Sequence, residues 1–180
     1  ADGLHAYGKR GTQVWTAAAP ADGRILAVSN GSGLIALYSE SSAAVYDGDG
    51  ALLYEAAVNS SSEGTIVHAA ACDNYVALHC RTSAGVSSLY VYDKSGTRLD
   101  TIAAAGGNVL AFGFSPDCIL WLITVQTSGS SPQCMITTYN PGRTMTASIT
   151  VCDQIVYTLV FAGKSFVAVG TSTLQWYDEM

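Results

Sequence analysis

Asp47 and Asp49 stand one residue apart in YDGDG, residues 46–50, and closely spaced acids on a tight loop are how a Ca²⁺-binding loop begins. The bidentate Glu that such a loop needs is absent at the required offset, and Asp-Gly is a common mark of a type I′ hairpin turn, so a turn is expected. His79-Cys80 has the residue types of a nucleophile–base pair, but neighbours on a strand point to opposite faces, which favours a core pair. His5 and His68 complete a set of three histidines, with no carboxylate at ligand spacing to either. The glycine-rich SNGSG, residues 29–33, has neither a GxxxxGK pattern nor a strand-GxGxxG-helix setting, so it too reads as a turn. Asp73, Asp117 and Asp153 follow apolar runs, where turn capping outweighs the alternative of lining a channel. No catalytic residue, metal site or cofactor is expected.

The elements that carry these residues follow from composition and repetition. The chain has 180 residues, 49% hydrophobic and only 12% charged, which is the composition of a packed β-rich protein. Its net charge is −6 and its eight Lys and Arg are scattered, which excludes a basic footprint for nucleic acid. Five cysteines, Cys72, Cys80, Cys118, Cys134 and Cys152, show no CxxC spacing. An odd count within apolar strands predicts free thiols and an intracellular protein, cytoplasmic or nuclear. No apolar run near a terminus reaches the ~20 residues of a spanning helix, so membrane insertion is not expected. Ala1 opens a polar segment without a secretory signal, and the ends of the chain suggest an excised piece.

A tyrosine before a turn recurs at Tyr7, Tyr46, Tyr92, Tyr139 and Tyr177, with spacings of 39, 46, 47 and 38 residues. A glycine follows each of the first four: Gly11, Gly50, Gly96 and Gly142. A tight hairpin needs positive φ at such a position, and glycine adopts it without a Cβ clash. Between these turns, apolar runs pair across polar turns: ILAVSNGSG with LIALYSE, IVHAAACDN with YVALHCR, VLAFGFSPD with CILWLITV, and LVFAGK with SFVAVGTS. Near-continuous apolar strands are the pattern of sheets buried on both faces. The alanine tracts are short and flanked by Gly or Pro, so helix content should be minimal.

The VYD that ends the runs at Tyr46 and Tyr92 resembles the Trp-Asp end of a WD repeat with Tyr in place of Trp, and LQWYDEM keeps an aromatic pair before Asp178. The chain thus resembles the degenerate WD40-like β-propeller repeat family, of the sort found at the ends of large trafficking, replication or nuclear-pore scaffold subunits. A quinoprotein-type propeller is a weaker resemblance. No copy carries the Gly-His pair that opens a typical WD repeat, so the buried His-Asp network of that family is not carried over. The resemblance implies an all-β fold, a β-propeller of repeated four-stranded antiparallel blades present as a partial propeller or excised segment. Its units would be residues 1–20 (a partial blade), 24–58, 66–104, 109–151 and 155–180 (an incomplete blade), within a single propeller domain or part of one spanning residues 1–180.

Two function classes follow. The first, preferred because the loops lack catalytic sets, is a non-catalytic protein–protein interaction scaffold, a propeller module in a larger intracellular assembly. The second is a propeller enzyme with a central-channel site for a sugar or small polar substrate. Partners are expected to be other protein subunits or the remainder of its own propeller, with no nucleic acid bound. The expected contacts are Arg81, Ser83 and Ser88 on the loop at residues 81–88, Gln126, Ser130 and Gln133 on the loop at residues 126–133, and Leu174 and Trp176 on the edge of the last strand.

Overall fold

The computed structural model describes residues 3–22, 25, 27–30, 33–104, 108–128, 131–142, 145–152, 155–163 and 165–178. They hold seventeen strands and no helix. β1 (Leu4–Tyr7) and β2 (Gln13–Ala17) form a two-stranded sheet. β3 (Ala27–Asn30), β4 (Leu34–Tyr38), β5 (Ser42–Asp47) and β6 (Leu52–Ala57) form a four-stranded one. The next two sheets also have four strands: β7 (Thr65–Ala71), β8 (Tyr75–Arg81), β9 (Ser87–Asp93) and β10 (Arg98–Ala103), then β11 (Asn108–Phe114), β12 (Leu120–Ser128), β13 (Ser131–Tyr139) and β14 (Met145–Cys152). The last sheet has three: β15 (Val156–Ala162), β16 (Ser165–Gly170) and β17 (Leu174–Tyr177). Within every sheet the strands lie in chain order, each beside its sequence neighbour. The chain is therefore all-β, built from antiparallel sheets, and it divides into two compact units at residues 102 and 103.

In the first unit, alternate residues of β4 leave on opposite faces and both faces are covered. Leu34, Ala36 and Tyr38 join Val76, Leu78, Cys80, Tyr90 and Tyr92 of the following sheet in one cluster. Leu37, with Ala44 and Tyr46 of β5, packs on Ala17, Leu4 and Trp15 of the preceding sheet. Each fully buried aliphatic side chain of this kind contributes about 1.5–3 kcal/mol. In the second unit, Trp121, Ile123, Cys134 and Ile136 pack against Leu159, Phe166 and Ala168 of the last sheet.

The repeated tyrosine turn has one geometry. Asp47 N donates to Ala51 O at 3.0 Å and Gly50 N donates to Asp47 O at 3.1 Å. Of these residues Gly50 alone has positive φ, at 84°. A type I′ turn needs positive φ at both central residues, so that expectation is corrected: this is a longer turn closed by a glycine bulge. The ladder accordingly shifts register between Val45 and Tyr46. Asp93 N to Thr97 O (3.0 Å) and Gly8 N to Thr12 O (2.9 Å) close the matching turns, with positive φ at Gly96 and Gly11. Ser115 and Ile119 close the same turn between β11 and β12, but there the positive φ, 59°, belongs to Cys118.

Candidate functional site

Asp47 and Asp93, the acids of the VYD motif, are occupied with their own turns. Asp47 Oδ1 accepts from the N–H groups of Asp49 and Ala51 at 3.0 and 2.9 Å. Asp93 Oδ1 accepts from Ser95 N, Ser95 Oγ and Thr97 N, and these bonds hold its pKa below the usual carboxylate range. Among the described residues no group of three or more His, Cys, Asp or Glu could hold a metal ion. Asp73 and Asp117 are exposed residues beside strand ends, and Asp153 lies outside the described residues.

His79 and Cys80 are both buried near the end of β8. Burial, with His68 and Arg81 nearby, pushes the His79 imidazole down to about 4, and burial pushes the Cys80 thiol up to about 12. A neutral thiol beside a neutral imidazole is no nucleophile pair, since the thiolate is the reactive form. His68, opposite His79 in the β7–β8 ladder, lies 3.0 Å through Nδ1 from Tyr38 Oη, and burial lowers its pKa as well. His5 lies exposed on β1. Glu63 binds Arg98 Nη1 at 2.6 Å, and the Arg98 guanidinium sits 3.8 Å from the Tyr90 ring centre. That cation–π and ion-pair set was not visible in sequence, because its members come from three separate segments.

The expectation of five free thiols is overturned. Cys80 and Cys134 are free, whereas Cys72 and Cys118 are disulfide-bonded. Cys118 is also the residue that holds positive φ, so an L residue is kept there at a backbone cost that glycine would avoid.

Of the expected partner contacts, Arg81 and Ser83 are exposed and Ser88 is half-buried. Arg81 and Ser88 belong to the ladder, Arg81 opposite Ser87 and Ser88 opposite Cys80, so the loop is residues 82–86. Gln126 and Gln133 are exposed but not on a loop: they face each other across β12 and β13, which continue to the pair Ser128 and Ser131. Polar residues extend this hairpin because its ladder needs only backbone partners. Ser130 lies outside the described residues. A cavity of about 310 Å³ opens on the β12–β14 face, against Leu122, Thr124, Met135, Thr137 and Tyr139, and among the described residues no carboxylate, imidazole, amine or thiol lines it.

Leu174 and Trp176 are the most informative of the set. They lie on β17 and are 71% and 58% exposed. Cross-strand pairing places Val160, Val167 and Trp176 in one row and Thr158, Val169 and Leu174 in the next. These rows form one face of the last sheet, while Leu159, Phe166, Ala168 and Tyr177 turn to the core, where Tyr177 stacks on Phe166 at 4.9 Å. Trp176 Nε1 donates to Asp178 Oδ1 at 2.6 Å. Among the described residues, no strand pairs with the outer edge of β17. Alternation of apolar residues through residues 158–176 was the sequence signal for this face.

By strand order and turn geometry, the chain is an all-β protein of repeated antiparallel sheets. No protein-family model and no curated protein matches it. Among solved structures it is similar to one described as the crystal structure of the eukaryotic initiation factor, with a TM-score of 0.47 and 16% identity. The similarity covers 78% of this chain and 35% of that one, so this chain spans about a third of its length. Among the described residues no helix is long and apolar enough to cross a membrane.

Proposed function

We propose that this chain is a non-catalytic protein-interaction module whose sheets stack as the blades of a propeller, within a larger assembly. The observation that carries the reading is β17: a strand third in its sheet like β5 and β9, with no strand on its outer edge among the described residues and with Leu174 and Trp176 exposed. Open edges recruit strands, and exposed aromatics in apolar surroundings anchor partners. The acids of the repeated motif are used in turns and the buried imidazole and thiol are neutral, which favours binding over catalysis.

The test is affinity capture with the wild-type chain and with Trp176→Asp, scored by mass spectrometry, beside a screen of glycosides and alcohols as substrates. A defined polypeptide held by the wild type and lost by the variant is the expected result. Turnover of a screened substrate, with no polypeptide that depends on Trp176, overturns the reading.

A further inference from the structure

We infer that this chain matures by thiol oxidation and works in an oxidising compartment, where Cys72 and Cys118 are carried in disulfide form and stabilise the fold while Cys80 and Cys134 stay thiols. Such a compartment takes the place of the cytoplasm or nucleus expected from the odd cysteine count, and it leaves the interaction-module reading untouched.

Position along the strands sorts these four cysteines. Cys72 and Cys118, which are disulfide-bonded, stand in the turns that follow the first strand of their sheets. Cys72 N donates to Tyr75 O at 3.0 Å between β7 and β8, and Cys118 N donates to Ser115 O at 2.9 Å between β11 and β12. Cys80 and Cys134, which are free, lie inside β8 and β13 and are 0% exposed. Burial pushes the Cys80 thiol up to about 12, and since only a thiolate attacks a disulfide, Cys80 stays out of exchange. Cys134 Sγ accepts from Val156 N at 3.3 Å and is fixed in the core cluster of its unit.

The backbone at Cys118 points the same way. Five turns among the described residues share one pattern, in which the first N–H bonds to the fifth carbonyl and the fourth N–H to the first carbonyl. Gly11, Gly50, Gly85 and Gly96 hold the fourth place with positive φ in four of them, and Cys118 holds it in the fifth. An L residue is strained there and glycine is not, so a cysteine is kept for something glycine lacks, which is a sulfur that can be bonded. Forming a disulfide joins two thiols through one S–S bond and releases two electrons and two protons. A disulfide-bearing oxidant takes these up and leaves as two thiols, by exchange through a mixed disulfide. The product persists where the surroundings are oxidising and is lost where thiols are kept reduced. Cys72 and Cys118 are themselves buried, which shields their bonded sulfurs from dissolved thiols and suits a structural role.

Differential thiol labelling tests this. The chain is taken from its source cells without reductant, denatured, and alkylated with one reagent before reduction and a second after it, and peptide mass spectrometry reads each cysteine. Cys80 and Cys134 should carry the first label and Cys72 and Cys118 the second. In thermal unfolding, the fully reduced wild type should melt about 5 °C or more below the oxidised one. The double variant Cys72→Ala, Cys118→Gly should melt at one temperature with and without reductant. First label on Cys72 and Cys118 in the chain from its source overturns the inference, as do oxidised and reduced wild types that melt together. A folded double variant as sensitive to reductant as the wild type places the effect elsewhere and overturns it too. If that variant does not fold, the labelling and the wild-type melts decide.

Discussion

The strands β5, β9 and β17 stand third in their sheets and carry the repeated tyrosine at or next to their ends, yet they differ in burial. Val45 in β5 and Leu89 and Val91 in β9 are 0% exposed, whereas Leu174 and Trp176 in β17 are 71% and 58% exposed. Their own sequences do not explain this, since VYD and LQWYD are similarly apolar and aromatic. The difference lies in the neighbours. β6 and β10 cover the outer edges of β5 and β9, and adjoining sheets cover both faces of β5, while among the described residues β17 has no strand on its outer edge and is covered on the Tyr177 face alone. Burial is thus a property of position in the stack.

One substitution made in both places tests this most directly. Leu89→Ala should cost about 3 kcal/mol of unfolding free energy, from lost transfer energy and the cavity left behind. Leu174→Ala should cost no more than about 0.5 kcal/mol, as an exposed site does. Chemical denaturation of the two variants gives the comparison, and equal costs would break it.

The turn glycines give the next largest contrast. Gly11→Ala should cost about 1–2 kcal/mol for forcing an L residue to positive φ. Gly50→Ala carries the same penalty and also collides with Trp15, so it should cost at least about 1 kcal/mol more. If the two match, Trp15 moves aside without loss and the aromatic cover is incidental.

Acid should affect the covered region through its histidines. In the folded chain His79 is held down to about 4, and His68 is also lowered, so both are neutral in the native state near neutrality. The unfolded chain binds their protons first. Stability is therefore complete above the ordinary histidine pKa of about 6.5 and falls as pH drops from there toward 4. His79→Leu should flatten the pH dependence of the melting temperature across that window, and an unchanged slope would remove His79 as its source. The smallest effect belongs to Glu63→Gln. Its ion pair with Arg98 is partly exposed, with relative side-chain exposure of 36% for Arg98 and 21% for Glu63, so the loss should stay below about 1 kcal/mol and shrink in high salt.

The turn positions were legible because glycine is the residue that takes positive φ without strain, and Gly11, Gly50, Gly96 and Gly142 all do so. Cys118 was not legible, although its turn is the same, because nothing in a cysteine announces that conformation. Burial on both faces could be read from unbroken apolar runs such as LIALY. The paired stretch at Gln126 and Gln133 could not, since Ser, Thr and Gln write a loop and a solvent-facing ladder alike. Tyr38 and His68 stand 30 positions apart, and only the stacking of their sheets brings them together. The exposed pair Leu174 and Trp176 could be named in advance, but the wider face with Val160, Val167 and Val169 needed the register of three strands.

Chain order within the sheets has a kinetic consequence. Each strand pairs with its immediate sequence neighbour, and several of the connecting turns close over only a few residues. Loop-closure entropy is small at each such step, so hairpins can form independently and then zip into sheets. All-β proteins fold slowly when distant segments must find each other, but here the pairing itself asks for no long search. What remains slow is the docking of finished sheets, and that step, more than strand pairing, should set the folding rate.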